Sequence, residues 1–114
     1  MHELGIVFYI ADEVRDVALA NGATSVASVT VELGEVSGVV PRLLQDAWRW
    51  CADREDLLRD CELVMEEEPA VTLCEDCGTR YGTVAHGRTC PACGSPHTHL
   101  EQGSGVVIRE IAVV

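Results

Sequence analysis

The sequence predicts an α+β fold, with two helices packed on a small three-stranded sheet and a cysteine-rich lobe inserted before the last strand. Three observations predict it: two stretches with helical apolar spacing, three stretches that alternate, and four closely spaced cysteines in a region of low apolar content. At 114 residues the chain falls below a typical domain of about 150 residues, so a multidomain enzyme is excluded. So short a chain buries a modest core and often needs a staple. Its six cysteines could supply one.

The first helix follows from Leu4, Val7, Phe8, Ala11, Val14, Val17 and Ala18, which recur at three- and four-residue steps. Glu3 suits the positive end of its dipole, and Asn21-Gly22 supplies the stop. From Val26 to Leu33 the chain alternates, with Val29, Val31 and Leu33 on one side of a half-buried strand. Pro41 opens a second helix, whose stripe is Leu43, Leu44, Ala47, Trp48 and Cys51 and which ends near Ala52. A charged connection, Arg54 to Asp60, leads to a second strand with Cys61, Leu63 and Met65 on one face, closed by Glu66-Glu67-Glu68-Pro69. Val107 to Val113 alternates as the third strand. This organisation predicts an α+β domain from residues 1–70, completed by a strand within 104–114, and an inserted domain over 71–103.

Charge narrows the function classes. All eight basic residues are arginines, set against nineteen acids for a formal net charge of −11. Such a field repels phosphate backbones and anionic lipid, so neither nucleic acid nor membrane is an expected partner. The longest apolar stretch, Ile6 to Ala11, is too short to span a bilayer. A Met-His-Glu opening without a basic segment predicts no secretory leader and a cytoplasmic setting. In a reducing compartment, cysteines are free thiols or metal ligands.

Cys74-Glu75-Asp76-Cys77-Gly78 and Cys90-Pro91-Ala92-Cys93-Gly94 are two CxxCG knuckles. Each sets two thiolates about one ion's width apart, and the following glycine permits the positive φ that turns backbone N–H groups toward sulfur. Together Cys74, Cys77, Cys90 and Cys93 predict a tetrahedral S₄ cage in a zinc-ribbon-like lobe, with Zn²⁺ as the favoured ion and iron the lesser candidate. With four protein ligands there is no open position for substrate, so the ion is structural and a zinc hydrolase is disfavoured. A redox dithiol would want one CxxC at the start of a helix, which neither motif has. Cys51 and Cys61 read as small core residues. His86 falls in the spacer and could replace a cysteine ligand, but with four thiolates present it reads as a hydrogen-bonding or solvent-facing residue; His97 and His99 follow the second knuckle on a polar loop, close enough for one to swing toward another metal, and read as bystanders.

A second metal site is suggested at the amino terminus. The α-amine of Met1, a deprotonated backbone amide and the His2 imidazole can form fused chelate rings with nitrogen donors in nearly one plane, a set that suits Ni²⁺ or Cu²⁺. A helix beginning immediately afterwards would limit fraying and fix the direction of the grip.

Met1-His2-Glu3-Leu4-Gly5-Ile6, the run from Val31 to Pro41, the paired CxxCG motifs and the closing Val107-Ile108-Arg109-Glu110-Ile111 together resemble the HypA/HybF nickel-incorporation proteins. The resemblance spans nearly the whole chain. It implies a non-catalytic nickel metallochaperone, with Ni²⁺ as transferred cargo at Met1 and His2, a contribution from the Glu3 backbone, and structural Zn²⁺ at the four cysteines. It also implies a HypB-type nickel GTPase as partner, the [NiFe]-hydrogenase large subunit precursor as recipient and, in some organisms, a role with urease maturation proteins. The competing reading is a zinc-ribbon interaction module that recruits nucleic acid or a transcription component. That reading would need a basic or aromatic face on the insert, for which the two arginines and Tyr81 are the only material.

Overall fold

The computed structural model describes residues 3–114; Met1 and His2, where the sequence places the nickel grip, lie outside the described residues. The chain forms α1 (Glu3–Ala20), β1 (Val26–Gly34), α2 (Pro41–Ala52), β2 (Glu62–Glu68), β3 (Val71–Cys74), β4 (Arg80–Gly82), α3 (Thr83–His86), β5 (Thr98–Gln102) and β6 (Val106–Val113). These elements make two three-stranded sheets, ordered β2-β1-β6 and β4-β3-β5. The α+β class with a four-cysteine lobe is therefore as expected, and the lobe has a sheet of its own. Two compact units result, one comprising residues 1–32, 39–66 and 107–114, the other 33–38 and 67–106.

In the first unit, α1 buries Val7, Ile10, Ala11, Val14 and Ala18. That stripe is rotated from the expected one: Leu4 and Phe8 are exposed, and Ile10 takes the interior place. The spacing 7, 10, 11, 14, 18 keeps one face over the whole length, whereas positions 4 and 8 sit at its margin. Pro41 opens α2 without a side-chain cap, and Leu44, Trp48, Cys51 and Ala52 face inward. Leu43, expected on that stripe, is exposed. The helices pack on each other, and β1 contributes Val26, Val29 and Val31 to the core. Trp48 is fully buried, and its indole N–H donates to the Cys61 carbonyl at 3.0 Å, so the ring's one polar group is satisfied. Cys51 and Cys61 are core residues, and burial pushes the Cys61 thiol up to about 11.

In the second unit, β3 pairs antiparallel with both β4 and β5, and a bulge between Val71 and Thr72 sets the β5 register. Segments 33–38, 67–70 and 103–105 meet in a tight junction. Glu35 N–H donates to the Glu68 carbonyl at 2.8 Å, Ala70 N–H to the Glu35 carboxylate at 2.9 Å and Gly103 N–H to the Glu68 carboxylate at 3.0 Å. Gly34 is required there because a Cβ would stand 2.2 Å from the Gly103 carbonyl oxygen. Among the described residues, no helix is long and apolar enough to cross a membrane.

Candidate metal centre

The two knuckles repeat one backbone design. In the first, Cys74 N–H donates to Thr79 O and Gly78 N–H to Cys74 O, both at 2.9 Å; in the second, Cys90 N–H donates to Ser95 O at 3.0 Å and Gly94 N–H to Cys90 O at 2.8 Å. Gly78 and Gly94 take φ of +77° and +75°, which side chains rarely adopt. The fold brings these half-sites face to face, with β3 delivering Cys74 and the turn at 89–95 delivering Cys90 and Cys93.

The four sulfurs lie within 4.8 Å of one another, and the pairs Cys74–Cys93 and Cys77–Cys90 stand 3.6 Å apart. A disulfide needs about 2.05 Å, so these are not disulfides. A tetrahedron built on the usual zinc–sulfur bond of about 2.3 Å has edges of about 3.8 Å, and the cluster matches that size. The donor set therefore fits a tetrahedral thiophilic ion. Cys74 and Cys90 are buried, whereas Cys77 and Cys93 face outward.

Neighbouring groups tune the sulfurs. The hydroxyl and then the backbone N–H of Thr79 bring the Cys77 thiol down to about 6, which favours the thiolate a metal needs. At Cys93 the Ser95 backbone N–H pulls downward, but sharing with Cys74 and burial push the thiol up to about 12. Four thiols this close hold protons between them, and a divalent ion takes the place of those protons.

Acidic residues inside the first knuckle tie it to the second. Asp76 accepts from the Ser95 hydroxyl and lies 3.1 Å from His97 Nδ1, while Glu75 lies 3.0 Å from His99 Nδ1. The Ser95 hydroxyl and then His97 hold the Asp76 carboxyl below its ordinary range. Sequence reasoning placed His97 and His99 on a polar loop; His99 instead lies on β5 and His97 just before it. The strand was concealed because all but one of its side chains are exposed and no alternation marks it. His86 packs edge-on to Tyr81 at 5.8 Å, and none of the three histidines joins the sulfur cluster. Of the material for a nucleic-acid face, Arg80 is committed to Glu101 at 2.8 Å, and Tyr81 is buried with its hydroxyl donating to Gly87 O at 2.9 Å.

Glu3, the described member of the nickel set, opens α1, and its carboxylate lies 3.5 Å from Val40 N.

Fold and cluster together define a two-unit α+β protein with a closed four-cysteine metal-binding site. The family model described as "Hydrogenase/urease nickel incorporation, metallochaperone, hypA" matches residues 1–113. The chain belongs to this HypA family of nickel metallochaperones. It is 34% identical over 111 residues to the hydrogenase maturation factor HypA of Shewanella oneidensis, covering 97% of this chain and 93% of that one. The same identity holds over 113 residues with its namesake from Chlorobium phaeobacteroides, covering 99% of each. The solution structure of the Ni metallochaperone HypA from Helicobacter pylori shares the fold, with a TM-score of 0.77 at 22% identity, covering 100% of this chain and 98% of that one.

Proposed function

We propose that this protein receives Ni²⁺ at its amino terminus and, with a HypB-type GTPase, delivers it to a [NiFe]-hydrogenase large subunit precursor in the cytoplasm, without catalysing a reaction itself. Urease maturation proteins are a second candidate recipient. The ligands are the Met1 α-amine, the His2 amide and imidazole, and the Glu3 backbone. The division of labour follows residues: 1–70 with 104–114 carry nickel, and 71–103 carry zinc at Cys74, Cys77, Cys90 and Cys93.

The observation that carries this reading is the family match, which runs from residue 1 and so takes in Met1-His2-Glu3. Helix geometry supports it. α1 begins at Glu3, and the first N–H groups of a helix have no acceptor within it, so the Glu3 amide is not needed by the helix itself. The sulfur cage supports it from the other side. All four of its positions are protein thiolates, which suits a retained structural ion and does not suit a cargo that must leave. A planar terminal chelate keeps an approach open for an incoming ligand. Acid reprotonates the backbone amide and imidazole, so nickel is released as pH falls.

Metal titration of the untagged protein tests this. Wild type should bind nickel stoichiometrically with zinc retained, and His2→Ala, or an extension ahead of Met1, should abolish nickel binding while zinc content and fold persist. Undiminished nickel binding in both variants would overturn the terminal site.

A further inference from the structure

We infer that the second unit carries a carboxylate-binding site, separate from both metal sites, centred on Arg88. A cavity of about 480 Å³ lies in this unit, within the range of small-ligand pockets. Its apolar surface comes from Val36, Pro96 and Leu100, and its polar side chains are those of Thr72, Thr83, Arg88, Thr98 and His99.

Donor supply in this cavity exceeds demand. Arg15, Arg49, Arg59, Arg80 and Arg109 each meet a carboxylate, and Arg54 lies over the Trp50 ring. The Arg88 guanidinium meets no acceptor among the described residues, which leaves all five of its N–H donors available. Thr72 is only 3% exposed, and its hydroxyl lies 2.6 Å from the Thr83 hydroxyl. Two hydroxyls joined by one bond retain one O–H proton, and neither has a further partner among the described residues. A buried hydroxyl with a surplus proton favours a ligand that only accepts.

The backbone beneath Arg88 is pinned. Tyr81 Oη donates to the Gly87 carbonyl at 2.9 Å, Thr98 Oγ1 to the Arg88 carbonyl at 2.7 Å, and Gly87 N–H to the Thr83 carbonyl at 2.7 Å. Two consecutive carbonyls held by side-chain hydroxyls fix where the arginine leaves the chain, and such preorganisation lowers the entropic cost of binding. Glu75, the nearby acid that reaches His99, is not among the cavity's lining residues.

One guanidinium and one surplus hydroxyl match a singly charged carboxylate. A phosphate dianion would bring a second charge into a chain of net charge −11, whose one lining imidazole, His99, is already engaged by Glu75 at 3.0 Å. The apolar walls call for a carboxylate carried on an apolar body. Such a group is supplied by a small carboxylic acid or by the last residue of a peptide chain.

Full-length, zinc-loaded protein is titrated with N-acetyl-leucine, with N-acetyl-leucinamide and with an acetylated tetrapeptide ending in a free leucine carboxylate, and backbone amide resonances are followed by NMR. The acid should shift the Thr72, Gly87 and Arg88 amides, and the amide analogue should not. Arg88→Gln should weaken acid binding about tenfold or more, Arg88→Lys less, and Thr83→Val measurably. Zinc and nickel stoichiometry should be unchanged in these variants, so failure of this site and failure of the terminal nickel site read out separately. Tighter binding of the tetrapeptide assigns the site to a chain terminus, and equal binding assigns it to a small acid. Equal shifts from acid and amide in wild type, or acid binding untouched by Arg88→Gln, would overturn the inference.

Discussion

In the first unit Trp48, Ile10, Leu44, Leu58 and Val14 are fully buried; in the second, the hydrophobic cluster consists of Cys74, Tyr81 and Cys90. Two of those three are cage ligands. The first unit is held by apolar area removed from water, whereas the second has too little of it and substitutes sulfur–metal bonds. The difference teaches that a metal can be a region's core rather than an ornament on it.

Removing the metal is the harshest way to break this comparison. Stripping the ion with a strong chelator, or Cys90→Ser, should unfold the second unit, because structural zinc supplies about 10–16 kcal/mol of apparent binding free energy to small domains at neutral pH. Amide resonances of β3, β4 and β5 should collapse while those of α1 and α2 survive. Loss of both sets together would show that the first unit also depends on the ion.

Trp48→Ala attacks the opposite side. Cavity formation should cost about 3–5 kcal/mol, a large share of a small domain's stability, and leave metal content of the second unit intact. Urea denaturation followed by circular dichroism, with metal analysis alongside, measures both.

A smaller effect separates buried thiols from cage thiols. Burial holds the Cys61 thiol up at about 11, above its ordinary value near 9. The unfolded chain therefore loses this proton first, so the first unit should lose stability as pH rises from about 9 toward 11, and the contribution should be level below that window. Iodoacetamide at neutral pH should leave Cys61 unmodified in the folded protein, and mass spectrometry after digestion reads this directly.

Tyr81→Phe should be the mildest. It removes the bond to the Gly87 carbonyl and should cost about 1 kcal/mol, visible as faster hydrogen exchange in the 83–88 segment with metal retained.

Legibility in the sequence followed the same division. Helices α1 and α2 and strand β1 bury one face, and such elements write a period of 3.6 or 2 into the chain; in β6 half-buried and exposed positions still alternate at its start. The knuckles were legible for a chemical reason, since two CxxCG motifs name their ligands outright. Strands β3, β4 and β5 have three to five residues each, and β5 buries none of them, so periodicity had too short a run to record. Tyr81 and Thr72 reveal themselves only through the pairing Thr72↔Tyr81, which is tertiary information. The exposure of Leu4 and Phe8 was hidden for a related reason: apolar residues at the margin of a stripe look identical in sequence to those at its centre. The cavity around Arg88 gathers Val36, Thr72, Thr83 and Leu100 from separate stretches of chain, and no local pattern marks it.

The indole of Trp48, sealed in the interior with its N–H satisfied, has a consequence for observation. Both tryptophans belong to the first unit, Trp48 enclosed and Trp50 half-exposed beneath Arg54, while the second unit contains no tryptophan and holds Tyr81 against its cage. Emission excited at the red edge thus reports one half of the molecule alone, and a chelator that dismantles the other half should leave that light nearly unchanged.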